Sequence, residues 1–104
     1  MQLTIGERLN LLSILPLEGN FLTMRVVDDL RKELGFSEQE LEYINLREEE
    51  GRLAWDPDKN APKEVEFGER SRRIVYDKLA ELDKEGKIRA EHLSLCEKFE
   101  YTGE

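Results

Sequence analysis

One cysteine, one histidine and one tryptophan are all that this 104-residue chain holds of three residue types that often carry chemistry, cross-links or binding hot spots. With Cys96 alone no internal disulfide can form, and a reducing compartment is the natural setting. Structural zinc needs four nitrogen or sulfur ligands. His92 and Cys96, four apart on one prospective helical face, therefore make half a site that only a second chain could complete. They read more simply as a core-facing pair beside Leu95 and Phe99. Nucleophilic catalysis is equally poorly equipped. His92 is the only imidazole, Cys96 the only nucleophile near it in sequence, and no glycine-rich phosphate loop is present. The expectation is a protein that is not an enzyme, with no catalytic, cofactor-binding or metal-binding residue.

Long apolar runs are missing too. Leu9 to Leu17 is interrupted by Asn10, Ser13 and Pro16, and Met1 to Glu7 offers no basic region, so neither a signal peptide nor a membrane span is expected. The cytoplasm follows as the expected location. Positive charge is in deficit: 16 Lys and Arg face 24 Asp and Glu, a net charge of −8. Such an excess repels nucleic acid and anionic membrane surfaces.

What is present is enough for one core, and residues 1–104 are read as a single small domain. Thr4-x-x-Glu7 is a capping box that opens a helix with Ile5, Leu9, Leu12 and Leu15 along it, ended by Pro16. A second helix runs from about Leu22, with Leu22, Val26, Leu30 and Leu34 spaced by four, Val27 widening the stripe, and Gly35 placed for a left-handed cap. Ser37-x-x-Glu40 is another capping box and starts a short third helix ending near Tyr43. The period then changes to two. Ile44 and Leu46, then Leu53 and Trp55 beyond Glu49-Glu50-Gly51, predict a β-hairpin with one apolar face, and Glu64 to Phe67 supplies a possible third strand. Helical spacing returns with Ile74, Val75, Leu79 and Leu82 before Gly86, and again from Ala90 through His92, Leu95, Cys96 and Phe99. The fold class expected is α+β in a winged-helix-like order: three helices, a hairpin with a possible third strand, and two C-terminal helices. The rival is a small α+β domain whose helices cover one face of a three-stranded meander.

Ser37 to Asp58 holds eight carboxylates and two arginines, so six of the chain's net eight negative charges lie on about a fifth of its length. A winged-helix reader would turn this segment toward phosphate, where Glu38, Glu40, Glu42 and a wing tip of Glu48-Glu49-Glu50 would be repelled. The basic cluster Arg70, Arg72 and Arg73 has acidic neighbours and reads as a solvated helix face with pairs such as Arg73–Asp77. Asp56-x-Asp58-x-Asn60 opens like a calcium loop but meets Ala61, Pro62 and Phe67 where glycine, a free ligand position and a bidentate glutamate are needed, so it reads as a turn. Trp55 reads first as core, beside Leu53 and Ile44, and otherwise as an anchor at the rim of a binding patch.

Leu15-Pro16-Leu17-Glu18-Gly19-Asn20-Phe21, then Leu30-Arg31-Lys32-Glu33-Leu34 and Phe36-Ser37-Glu38-Gln39-Glu40, resemble small acidic proteins encoded by tailed phages and prophages. Leu79-x-x-Leu82-Asp83-Lys84 and His92-Leu93-Ser94-Leu95 are similar to the same group. That resemblance implies a viral gene product at work in a bacterial cytoplasm; the group has no assigned activity, so it supplies no site residue.

Together these features predict an acidic protein-binding module that meets a basic surface on another protein through Glu38, Glu42, Glu48, Glu49 and Glu50, with Trp55 as a possible anchor. No nucleic acid, membrane or cofactor is expected as a partner, and the oligomeric state is left open. The alternatives are a regulator or inhibitor that presents carboxylates to a nucleic-acid machine in place of phosphates, and a winged-helix DNA-binding regulator using the Arg70–Arg73 end.

Overall fold

The computed structural model describes residues 1–59 and 61–103. In chain order the elements are β1 (Gln2–Leu3), α1 (Ile5–Ile14), α2 (Phe21–Leu34), α3 (Glu38–Ile44), β2 (Arg47–Glu49), β3 (Arg52–Ala54), β4 (Lys63–Glu64), α4 (Glu69–Lys84) and α5 (Leu93–Lys98), the last entered through a 3-10 turn at Ala90–His92. This is α+β, with the predicted order of three helices, a hairpin and a C-terminal helix pair. A strand follows the hairpin, but it spans Lys63–Glu64 rather than Glu64 to Phe67 and does not extend the hairpin. β4 pairs antiparallel with β1, Gln2 opposite Glu64 and Leu3 opposite Lys63. The Met1 carbonyl then accepts the Val65 N–H at 2.9 Å, so the two-stranded sheet draws Leu3 and Val65 into the core.

Both capping boxes form: Thr4 and Ser37 accept the Glu7 and Glu40 N–H groups, and those glutamates accept the cap N–H groups in return. Pro16 follows α1, whose last residue is Ile14, and α4 closes with Gly86 in the left-handed region at φ 68°. Gly35 differs from expectation. Its φ of −62° and ψ of 160° are extended, because the end of α2 is not capped by its own backbone turn. A side chain from α1 does that work instead.

Arg8 is 0% exposed and sits on the inner face of α1 between Ile5 and Leu11. Its Nε donates to the Leu34 carbonyl at 3.1 Å and its Nη2 to the Gly35 carbonyl at 2.6 Å. Nη1 donates to Glu40 Oε2 at 2.7 Å, and the guanidinium lies 3.8 Å from the centre of the Phe36 ring. One buried cation thus joins α1, the C-terminus of α2 and the N-terminal turn of α3. A second clamp joins the ends of the chain. Lys98 Nζ donates to Glu7 Oε1 and to the Gln2 carbonyl, both at 2.6 Å, holding α5 against the start of α1.

The core is built from Leu3, Leu11, Ile14 and Leu15, the α2 stripe Val27, Leu30 and Leu34, Val75 and Leu79 of α4, and Leu95, Cys96 and Phe99. Phe67 meets Phe99 edge to face with centroids 5.0 Å apart. The α2 stripe is therefore offset from the spacing-of-four reading, with Leu22 outside and Val27 inside. On α1, Leu9 and Leu12 are only half-buried and Arg8 takes an inner position. No helix among the described residues is long and apolar enough to cross a membrane.

Candidate functional site

α3 and the β2–β3 hairpin carry the acidic segment, and its carboxylates divide into two groups. Glu40 turns inward: its hydrogen bond from Arg8, aided by the Ser37 N–H, outweighs partial burial and holds its carboxyl below the usual carboxylate range. Glu38 and Glu42, flanking it on the same short helix, are exposed. Ile44, expected as the first apolar position of the hairpin, is instead the last residue of α3 and fully buried. Asn45 takes the left-handed cap at φ 54°, and the Leu46 N–H returns to the Leu41 carbonyl, which ends the helix before the strand begins.

The hairpin register is Arg47 opposite Ala54, Glu48 opposite Leu53, and Glu49 opposite Arg52. Directly opposed residues share a face, so the two faces differ in kind. On one, Arg47 pairs with Glu49 at 2.8 Å and with Asp56 at 3.1 Å. The Glu49 hydrogen bond in particular raises the Arg47 pKa. On the other, Glu48 stands beside Leu53, which is 54% exposed rather than covered as the alternation predicted. The apolar face of the hairpin is thus turned largely to solvent at Leu53. Among the described residues, Glu38, Glu42, Glu48 and Glu50 form no ion pair.

The turn is a two-residue loop in which Glu50 and Gly51 both have positive φ, 51° and 77°, as a type I′ hairpin requires. Gly51 accepts this freely, but Glu50 does not. A left-handed backbone costs a residue with a Cβ about 1–2 kcal/mol, and asparagine or aspartate is the usual choice there. A carboxylate one methylene longer is held at the tip against that preference.

Trp55 is half-buried at the base of the ridge and neither sealed in the core nor fully free. Its ring lies against α1 at Gly6, where an added Cβ would be 3.7 Å from the indole. Together with Leu9, Asn10, Leu53, Arg89 and Glu91 it lines a groove of about 930 Å³ between α1, the hairpin and the turn before α5. The ridge thus offers a groove of mixed polarity at its foot, with Trp55, Leu9 and Leu53 as its apolar side chains, and free carboxylates above.

The residues considered for catalysis or metal binding lie elsewhere. His92 is buried, and its Nδ1 accepts the Arg89 N–H at 3.1 Å, which commits that lone pair to the backbone. Cys96 is buried in the core, and burial pushes its thiol up, away from the reactive thiolate. Asp56 is occupied by Arg47; Asn60, the third position of the calcium-like pattern, lies outside the described residues. Among the described residues, no three His, Cys, Asp or Glu side chains group as a metal site.

Sequence reasoning missed the inward turn of Glu40 and the groove at Trp55. The first had a signal, a lone arginine at Arg8 in the apolar stripe of α1. The second had none, because it joins residues far apart in sequence. No family model, curated protein or solved structure matches this chain.

Proposed function

We propose that this chain is a non-enzymatic module that binds another protein through the α3–hairpin ridge. One observation carries the reading: on the outward hairpin face an exposed leucine, Leu53, is paired with a free carboxylate, Glu48, above a groove seated on Trp55. An apolar contact ringed by charge is the composition of a docking patch, in which the carboxylates steer encounter and the apolar side chains supply the desolvated centre. The strained Glu50 backbone supports it, since a tip chosen for stability alone would carry asparagine. The partner surface is basic, with a recess for an aliphatic side chain. Glu38 and Glu42 extend the same charge along α3, while Glu49 is held by Arg47 and contributes less. The likeness to small acidic phage and prophage proteins makes a bacterial lysate the place to look.

The test is affinity capture from such a lysate with wild-type protein, the E48K/E49K/E50K variant and Leu53→Ser. The expected outcome is a captured protein lost with either variant and released progressively by salt. Capture that survives both substitutions rejects the ridge. Duplex DNA added as competitor separates the kinds of partner: displacement marks one that itself binds phosphate.

A further inference from the structure

Three exposed apolar side chains lie outside the hairpin and outside the groove at its foot. Leu17 is 87% exposed, Phe21 74% and Leu22 58%, all at the α1–α2 turn and the first turn of α2. Beside them a groove between α2 and α4 is lined by Leu22, Val26 and Ile74, with Arg70, Arg73 and Asp77 as its charged residues. Arg73 is engaged by Asp77 at 3.2 Å, whereas Arg70 forms no ion pair among the described residues. The Arg25 guanidinium lies 5.9 Å from the centre of the Phe21 ring, adding a cation at the edge of the patch. Adjacent exposed apolar residues with a polar rim mark a contact surface rather than scattered surface leucines, and with Asp77 spent on Arg73 the charge left over at this rim is positive, from Arg70 and Arg25. Its chemistry asks for an aliphatic side chain flanked by carboxylates.

The chain itself displays such a segment. Leu53 projects beside Glu48 and the tip residue Glu50, on a ridge that shares no lining residue with the α2–α4 groove. We propose that the groove receives the hairpin of a second copy of this chain, with Leu53 set against Leu22 and Ile74 and with Glu48 and Glu50 facing Arg70 and Arg25. This rests on the reading of the hairpin as a docking ridge and gives that ridge a further occupant, a second copy of the chain. Groove and ridge are different surfaces, so each copy offers one of each, and contacts of this type continue into a ring or an open chain unless two copies engage reciprocally. The net charge of −8 opposes association as a whole, while the local contact joins opposite signs. Salt therefore weakens the contact it screens most directly.

Sedimentation velocity over a concentration series, with wild type, E48K/E50K, R70E/R73E and an equimolar mixture of the two variants, tests this. Wild type is expected to exceed the 12.2 kDa monomer and to return toward it as salt is raised. Each variant alone is expected to remain monomeric. The mixture is expected to associate beyond the monomer mass, because one variant keeps an intact groove and the other an intact ridge, and the two reversed surfaces again carry opposite charges. Circular dichroism confirms that all species are folded, and L22S, at an exposed residue of the groove, supplies a charge-neutral loss of the same contact. Wild type that stays monomeric at every concentration, association that both variants retain, or a mixture that fails to associate overturns the proposal. The ridge reading is judged separately: lysate capture that depends on Glu48 and Glu50 in a strictly monomeric protein upholds it while self-docking fails.

Discussion

Replacing Glu40 by glutamine tests whether the acidic segment is anchored through a buried charge. Glutamine keeps a side-chain carbonyl for the Ser37 N–H, so the capping box survives while the charge facing Arg8 disappears. Arg8 has no exposure of its own, and its remaining partners are the neutral carbonyls of Leu34 and Gly35. Removing one member of a fully buried ion pair costs about 3–5 kcal/mol. The Glu40 side chain is 29% exposed, and two hydrogen bonds to Arg8 remain. The loss expected for E40Q at neutral pH is therefore about 2 kcal/mol, a fall in Tm of roughly 10 °C for a domain of this size. Arg8→Met loses the same pair and orphans two helix-end carbonyls, for about 3 kcal/mol. The double variant removes both charges and should cost no more than Arg8→Met, giving a coupling of about 2 kcal/mol in a double-mutant cycle. Urea unfolding followed by far-ultraviolet circular dichroism supplies the numbers. Acid supplies an independent check. Because Arg8 holds the folded Glu40 carboxyl below its ordinary 4.5, this stabilisation is complete above that value and is lost as pH falls through the depressed one. Wild type and E40Q should diverge toward neutral pH and converge in acid. A coupling under about 0.5 kcal/mol, or a constant gap across the acid range, would refute the claim that the pair anchors α3.

Two further outcomes are expected. Glu50→Asn relieves a left-handed glutamate and should raise stability by about 0.5–1 kcal/mol while weakening partner capture; equilibrium unfolding and pulldown read the opposing effects, and a loss of stability would contradict the turn assignment. Lys98→Met leaves the nearly buried Glu7 carboxylate without its cation and should cost about 1–2 kcal/mol at neutral pH. Although burial works against the Glu7 charge, Lys98, the Thr4 N–H and Ser94 together lower its pKa, so this deficit also fades in acid, and hydrogen exchange should place the loosening in α5.

The parts of the fold that were legible in sequence are those decided locally. Thr4 with Glu7, Ser37 with Glu40, Pro16 and Gly86 each declare a helix end through groups within a few residues, and each end lies where it was read. Errors arose where a distant group intervened or where a helix ran one residue further than its pattern indicated. Gly35 looks like a left-handed cap until Arg8 arrives from α1 to take the Leu34 and Gly35 carbonyls. Ile44 looks like a strand position until Asn45 turns the chain one residue later. A strand after the hairpin was readable only in part, since of Glu64 to Phe67 the observed strand keeps Glu64 alone, and its partner, the two residues Gln2 and Leu3, is too short to announce itself by alternation. At the candidate surface the carboxylates were legible as a charge excess; which were free and which were spent internally was not, because that depends on Arg8 and Arg47 reaching them.

A single indole serves the whole molecule, and it is seated against Gly6 at the foot of the ridge rather than sealed in the core. The tryptophan emission of this protein therefore originates beside the hairpin ridge. A ligand settling over Leu53 and the groove would strip water from one side of Trp55 and shift its fluorescence to the blue, so occupancy of the ridge can be followed optically with no dye attached.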